Sequence, residues 1–363
     1  MVSYAVVGQG QIGWAIRELL LNTGENVSSF DLNPQNSNVV KLDVHSDDAI
    51  KEVVSSHDVV FSAIPWDATE KVAKQVIEQG NKIYLDLTED LIVGRKIITN
   101  NDVASTGSTV VPHCGLAPGA VSLIAGNMMR CFTTTMSIKI RVGALPQAAS
   151  NRLGYFRTWS TSGLVNEYLK RGERIRDGHY EFCSSLDDVD NVVLQGMKYE
   201  AFNTSGGAGT LIDSCKNGLT SFSTKGSVDY KTLRYPGHCE LMKFLFEDMK
   251  LKHDPEALAK MLDWAIPTTR DDVVVIWIEV TGTRDNRVEV DHYVRHVYGD
   301  PYMTAIQKTT AGGIVAVAQW LAMKQLAMPK VQVNHISMLK PTYRMEDIPL
   351  NEVEDFDCWA PYR

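Results

Sequence analysis

The chain has 363 residues, 44% of them hydrophobic and 22% charged, with a formal net charge of −8. That length suits two domains with full cores, and an acidic balance without basic runs argues against nucleic acid or anionic membrane as partners. No apolar stretch reaches membrane-spanning length, and the first apolar run ends in glycine as a strand does, not as a signal peptide does.

Residues 3–7 form a short apolar run of the kind that makes a buried parallel strand, and Gly8-Gln9-Gly10-Gln11-Ile12-Gly13 follows it. In this pattern Gly8 allows the tight turn, Gly10 lets backbone approach a pyrophosphate, and Gly13 lets the next helix pack on the sheet. That helix, over about 11–21, points its N–H groups and the positive end of its dipole at the phosphates. A second strand over 27–30 leads to Asp31, eighteen positions after Gly13, where a carboxylate can accept both hydroxyls of an adenosine ribose. The unit predicts a dinucleotide site. Asp31 favours NAD over NADP, because it would repel a 2′-phosphate and no Arg or Lys follows before Lys41.

The alternation continues with a strand over 38–43, a helix to about 55 capped at Ser46-Asp47-Asp48, and a strand over 58–65 ending in proline. A helix over 68–79 closes at Gly80, and strands follow over 82–87 and 108–112. This cadence implies a parallel sheet with right-handed crossovers, whose ligands bind beyond the carboxyl ends of the strands. Those ends are the glycine loop, Asp31, Ala63-Ile64-Pro65, Asp86, and the stretch from His113 to Gly119.

After a helix over 120–130 the pattern changes. Residues 136–145 alternate as a half-buried strand does, and the β-branched run 272–283 turns at Arg284-Asp285-Asn286 into 287–297, a hairpin of an antiparallel sheet. A glycine cluster at 205–209 and a helix over 237–249 lie between. Residues 309–328 read as a helix returning to the first domain. The acidic tail that follows, with Trp359 and Tyr362, reads as a flexible arm or as an arm packed on a partner subunit. The expected fold is α/β: a Rossmann parallel sheet with an inserted α+β domain containing an antiparallel sheet. Its divisions are 1–120, 121–304, 305–339 and 340–363.

Six widely spaced cysteines without a C-x-x-C pair read as reduced thiols of a cytoplasmic protein. Nine histidines without ligand spacing give no reason to expect a metal.

Three further segments are more specific than the glycine pattern. They are His113-Cys114-Gly115-Leu116-Ala117-Pro118-Gly119; Val142-Gly143-Ala144-Leu145-Pro146 with Tyr155-Phe156-Arg157-Thr158-Trp159-Ser160; and Thr232-Leu233-Arg234-Tyr235-Pro236-Gly237-His238. With the N-terminal fingerprint, they resemble the saccharopine dehydrogenase-like family and, within it, most closely the lysine 6-dehydrogenase branch. The resemblance implies NAD(P)-linked oxidation of a carbon bearing nitrogen, on lysine or a lysine-derived amine. It also implies a homodimer and an α+β substrate and dimerisation domain inserted before the last helix. Enzymes that form carboxynorspermidine and homospermidine are similar too. His113 and Cys114 depart from the Asp and Ala frequent at those positions in the branch.

Amine dehydrogenation needs a neutral nitrogen, and an alkylammonium of pKa about 10.4 must first lose a proton. His113, with an ordinary pKa of about 6.5, is the better-matched base, and Asp86 would hold the ammonium or orient the histidine. A substrate carboxylate needs a fixed cation. Arg234, just before a helix start, is the first candidate, and Arg157, with Tyr155 and Trp159, the second. His238 either contacts substrate or only begins the helix, and Thr310 is expected to face the crevice. Backbone at Cys114 and Gly115 would meet the nicotinamide, and Ala63-Ile64-Pro65 would line the ribose. Two other readings compete: a semialdehyde dehydrogenase with Cys114 as thiolate nucleophile, and a non-catalytic NAD-binding homologue.

Overall fold

The computed structural model describes residues 2–148, 150–218, 221–327 and 339–363. Residues 328–338, the far end of the returning segment expected over 305–339, lie outside the described residues. The chain divides into two compact units, Met1–Asn127 with Thr309–Arg363, and Met128–Lys308.

In the first unit, β1 (Ser3–Val7), β2 (Asn26–Asp31), β3 (Val39–Lys41), β4 (Val59–Ser62), β5 (Ile83–Asp86) and β6 (Thr109–Val111) form a parallel sheet of order β3-β2-β1-β4-β5-β6. Runs such as Val59-Val60-Phe61-Ser62 are buried at every position, as strands covered on both faces must be. The strand order reverses at β1, and the adjoining strand ends form the crevice that such sheets use for ligands. Two short helices between β5 and β6 were not read from the sequence, Leu91–Ile98 and Asp102–Thr106. The first is capped by Asp90, whose carboxylate accepts from the N–H groups of Ile92 and Val93.

The helix Ala305–Ala327 carries the chain back into this unit. Residues 339–363 are not a loose arm but pack on the first unit of their own chain. The Val110 N–H donates to Pro341 and the Tyr343 N–H to Val110, so the segment extends the sheet past β6. Met345, Ile348, Val353, Trp359 and Tyr362 are all buried. Apolar residues at these spacings outweigh the acids between them.

In the second unit, β7 (Thr134–Pro146), β8 (Gly172–Arg176), β9 (His179–Cys183), β10 (Asp190–Leu194), β11 (Met197–Asn203), β12 (Phe222–Arg234), β13 (Asp272–Arg284) and β14 (Arg287–Tyr298) share one sheet. The order is β10-β11-β12-β7-β13-β14, with the β8–β9 hairpin beside β12. The sheet is mixed, not purely antiparallel, because β12 runs parallel to β7. Only strands joined by tight turns are obliged to run antiparallel, and a long excursion separates these two. The β13–β14 turn is the expected one, with Asp285 and Asn286 both at positive φ. The run after Gly237 is helical as expected, but its second half, Phe244–Asp248, winds as a π-helix.

Candidate active site

The glycine loop and its neighbours come together within the first unit. The Gly8 N–H donates to Phe30 at 2.8 Å. A Cβ on Gly8 would overlap the Ala63 carbonyl, and one on Gly13 would overlap the Gly8 carbonyl, so helix, turn and β4 end are in contact. A Cβ on Gly10 would meet nothing within 4 Å. Gly10 also begins the helix Gln11–Asn22, which no side chain caps. This is the open, N–H-lined approach that a pyrophosphate needs. Asp31 ends β2, with one carboxylate oxygen accepting from the Gln9 N–H at 2.7 Å and the other from Asn33 at 2.8 Å. Each oxygen keeps a lone pair for a ribose hydroxyl. Lys41, ten positions on in sequence, is the register partner of Asp31 on β3. Pro65 precedes the helix Trp66–Gln79 at the end of β4, and Ile64 lies against Gly8.

Asp86 and His113 also meet, but inside the fold. One Asp86 oxygen accepts from the N–H groups of Thr88 at 2.9 Å and His113 at 3.1 Å. The Cys114 N–H donates to the Asp86 carbonyl at 2.8 Å. The residue therefore anchors the loops after β5 and β6, and burial raises its carboxyl above the ordinary range. The His113 side chain is 1% exposed, with Nδ1 at 2.7 Å from the Thr88 carbonyl and Nε2 against Gly94, where a Cβ would collide with it. A carbonyl only accepts, so the proton is on Nδ1. The His113 Nε2 packs beneath the helix Leu91–Ile98, an enclosed placement that does not suit the base the sequence suggested. The other Asp86 oxygen and His113 Nε2 have no hydrogen-bond partner among the described residues.

Cys114 is buried, its sulfur 3.2 Å from that of Met345. Burial, reinforced by Asp86, raises its thiol well above the ordinary range. That removes the thiolate on which the semialdehyde reading rests. Gly115 stands against the Thr310 methyl.

In the second unit Arg234 closes β12. It is 2% exposed and is faced by the rings of Tyr155 at 5.2 Å and Tyr168 at 5.9 Å. Its Nε donates to the Tyr168 hydroxyl at 3.0 Å and its Nη1 to the Leu233 carbonyl at 2.9 Å. No hydrogen bond joins it to a carboxylate among the described residues, though the nearby Glu167 charge, with Tyr168 and Tyr155, favours its charged form. The Tyr168 hydroxyl in turn lies 3.0 Å from His238 Nε2, and His238 Nδ1 lies 3.0 Å from the Leu153 carbonyl. The carbonyl fixes the proton on Nδ1, so Tyr168 donates to Nε2 and the hydrogen bonds run one way from Arg234 to Leu153. Burial and the nearby Arg234 cation lower His238 to a pKa of about 3, leaving it neutral. His238 is thus a buried support for Arg234 and not a substrate contact.

Two other expectations are corrected. The helix start beside Arg234 is not free, because Glu200 accepts from the N–H groups of Gly237, at 2.9 Å, and Cys239. Arg157 is no clamp, since its guanidinium donates to Ile266 at 2.7 Å, to Thr161 and to Asp263, pinning the helix Pro255–Ala265. Trp159 packs on Gly163 in the same region. Among the described residues there is no cluster of three His, Cys, Asp or Glu side chains suited to a metal, and no helix is long and apolar enough to cross a membrane.

Comparison with known proteins bears on both units. The family model for the saccharopine dehydrogenase C-terminal domain matches residues 115–344, and the model for NADP oxidoreductase, coenzyme F420-dependent, matches 3–90. The chain is 27% identical over 242 residues to the saccharopine dehydrogenase (NADP+, L-glutamate-forming) of Saccharomyces cerevisiae, covering 64% of this chain and 52% of the relative. It thus spans about half the length of that relative. It is 24% identical over 267 residues to the mitochondrial alpha-aminoadipic semialdehyde synthase of Rattus norvegicus, covering 65% of this chain and 27% of the relative. The solved apo saccharopine dehydrogenase (L-Glu forming) from S. cerevisiae shares the fold, with TM-score 0.73 at 17% identity over 98% of this chain and 97% of that one. The first family model covers well over half of the sequence, and the chain belongs to the saccharopine dehydrogenase family.

Proposed function

We propose that this chain is an NAD(P)-dependent dehydrogenase that oxidises a carbon bearing nitrogen in lysine or a lysine-derived amino acid, with NAD preferred over NADP. The observation that carries the reading is Arg234. A guanidinium taken out of water with no carboxylate hydrogen-bonded to it costs several kcal/mol, and an amino-acid carboxylate offsets that cost through charge-assisted hydrogen bonds. The names of the relatives, which act on saccharopine or form alpha-aminoadipic semialdehyde, agree with a substrate of this kind.

When bound, the nicotinamide supplies the hydride acceptor. Gly10 and the helix end after it would hold the pyrophosphate, Asp31 the adenosine ribose, and Ala63, Ile64 and Pro65 the opposite side. Arg234 would hold the substrate carboxylate, kept in place by Tyr168 and, behind it, His238. Loss of a hydride from the carbon to the nicotinamide and of the nitrogen's proton to water would leave a C=N bond, which water opens to a carbonyl with release of the amine. All six cysteines are free thiols, which supports a reducing compartment, read here as the cytoplasm.

The test is NADH or NADPH formation followed at 340 nm with saccharopine and lysine. Arg234→Met should raise KM for the carboxylate-bearing substrate by about 10²-fold while the Kd for NAD, from calorimetry, stays unchanged. An unchanged KM would remove Arg234 from the site. Silence on every carboxylate-bearing amine, with NAD bound, would remove the activity.

A further inference from the structure

The sheet of the second unit has two unlike faces. Arg234 ends β12 on the face that meets Tyr168, whereas Lys231, three positions earlier, points to the other. There β12 and β7 lie side by side, with Lys231 the register partner of Arg141 and Asp229 that of Lys139. The segment leading into β10 crosses above them, and the Lys231 ammonium donates to its Asp188 carbonyl at 2.6 Å. A pocket of about 250 Å³ remains between these residues and Arg174 of the β8–β9 hairpin. That volume lies below the range that drug-sized ligands need and suits a smaller molecule.

Charge is layered in this pocket. Its deep side chains are bases, Arg141 at 3% exposed and Lys231 at 4%. The acids stand nearer to solvent, Asp190 at 46% and Asp188 at 41%. Two outer bases of the wall, Lys139 and Arg176, are engaged by Glu279 and Glu181. Arg141 meets Asp229 at 2.8 Å, Lys231 meets Asp190 at 2.8 Å, and Arg174 meets Asp188 at 2.7 Å. All three acids make these pairs through Oδ2, so each keeps Oδ1 for another donor. On the deep side, the Arg141 Nε has no hydrogen-bond partner among the described residues. We propose that the pocket binds a free α-amino acid, its carboxylate inward toward Arg141 and Lys231 and its ammonium outward toward Asp188 and Asp190. A simple anion suits the deep bases but must pass the acids at the mouth, and a simple cation suits only the mouth. A zwitterion matches both layers, in one orientation, through charge-assisted hydrogen bonds at each end. Arg234 faces away from this pocket, so the site and the activity proposed above stand or fall separately.

Calorimetry on the full chain with L-alanine, propionate and ethylamine tests the site, because the last two each keep one end of the first. L-alanine should bind more tightly than either by about tenfold or more. Asp188 sits at positive φ, which Asn tolerates, so Asp188→Asn preserves the backbone. That exchange should weaken L-alanine about tenfold and strengthen propionate, since the mouth loses a negative charge. Ser137, on β7, lines the pocket, and Ser137→Trp should fill it and abolish the L-alanine heat. Arg234→Met should retain that heat, which separates this pocket from the candidate active site. Circular dichroism melts confirm that each variant is folded. The proposal is overturned by the absence of L-alanine heat, or by equal affinities for L-alanine and propionate. It is also overturned if the heat survives in folded Ser137→Trp, or if Asp188→Asn shifts both ligands in the same direction.

Discussion

Acidification should loosen the second unit through His238, and the size of the effect follows from its surroundings. The imidazole is fully enclosed, donates to Leu153, accepts from Tyr168, and lies near the Arg234 cation. Its folded pKa of about 3 lies below the ordinary 6.5. A depressed pKa on a base means that the unfolded chain binds the proton first. The stabilisation is therefore complete above about pH 6.5 and is lost as pH falls from there toward 3. Between pH 7 and pH 5 the loss is about 2 kcal/mol, at about 1.4 kcal/mol per pH unit below 6.5. For a unit of this size that lowers the melting temperature by about 4–8 °C. Gln can make both hydrogen bonds without titrating, so His238→Gln is the control. Calorimetric melts at pH 7, 6 and 5 should show the unmodified protein losing that much more than the variant. Equal losses would mean that His238 is not held neutral, and the one-way hydrogen bonding from Arg234 would fall with it.

Two further outcomes follow from the first unit. Cys114→Ala should keep the dehydrogenase rate within about twofold, and native Cys114 should resist iodoacetamide, because the thiol is enclosed against Met345. A tenfold loss of rate would return sulfur to the chemistry. Asp31→Asn should weaken NAD about tenfold in Kd and strengthen NADP, because the charge that repels a 2′-phosphate is gone while Lys41 remains across the register. Calorimetry with both nucleotides checks this, and unchanged values would place the ribose elsewhere.

What the sequence disclosed and what it withheld divide by the distance between partners. The glycine loop, Asp31 and the β13–β14 turn were legible because each is a local backbone requirement met within a few residues. His113 was misread because its ring depends on Gly94, nineteen positions earlier and on a helix the reading had missed. Arg157 was misread because Asp263 lies 106 positions away. Glu200 gave no signal, since a lone acid in an alternating strand looks like any solvent-facing residue. The hairpin turns at Asp177-Gly178 and Gln195-Gly196 did carry one, both residues of each being at positive φ, and the first is a strong turn pair. Arg234 was legible as a cation near a helix start, but its burial between Tyr155 and Tyr168 became visible only in three dimensions.

The pairing of residues 341–343 with Val110 of β6 sets an order in which the first unit can be completed on the ribosome. Synthesis at about 5–20 residues per second leaves the amino-terminal stretch without its closing strip for roughly ten to fifty seconds. The interposed unit, Met128–Lys308, is contiguous and can finish folding during that wait. The nucleotide-binding half begins before that unit and is completed after it, with Val110 uncovered until the closing strip arrives.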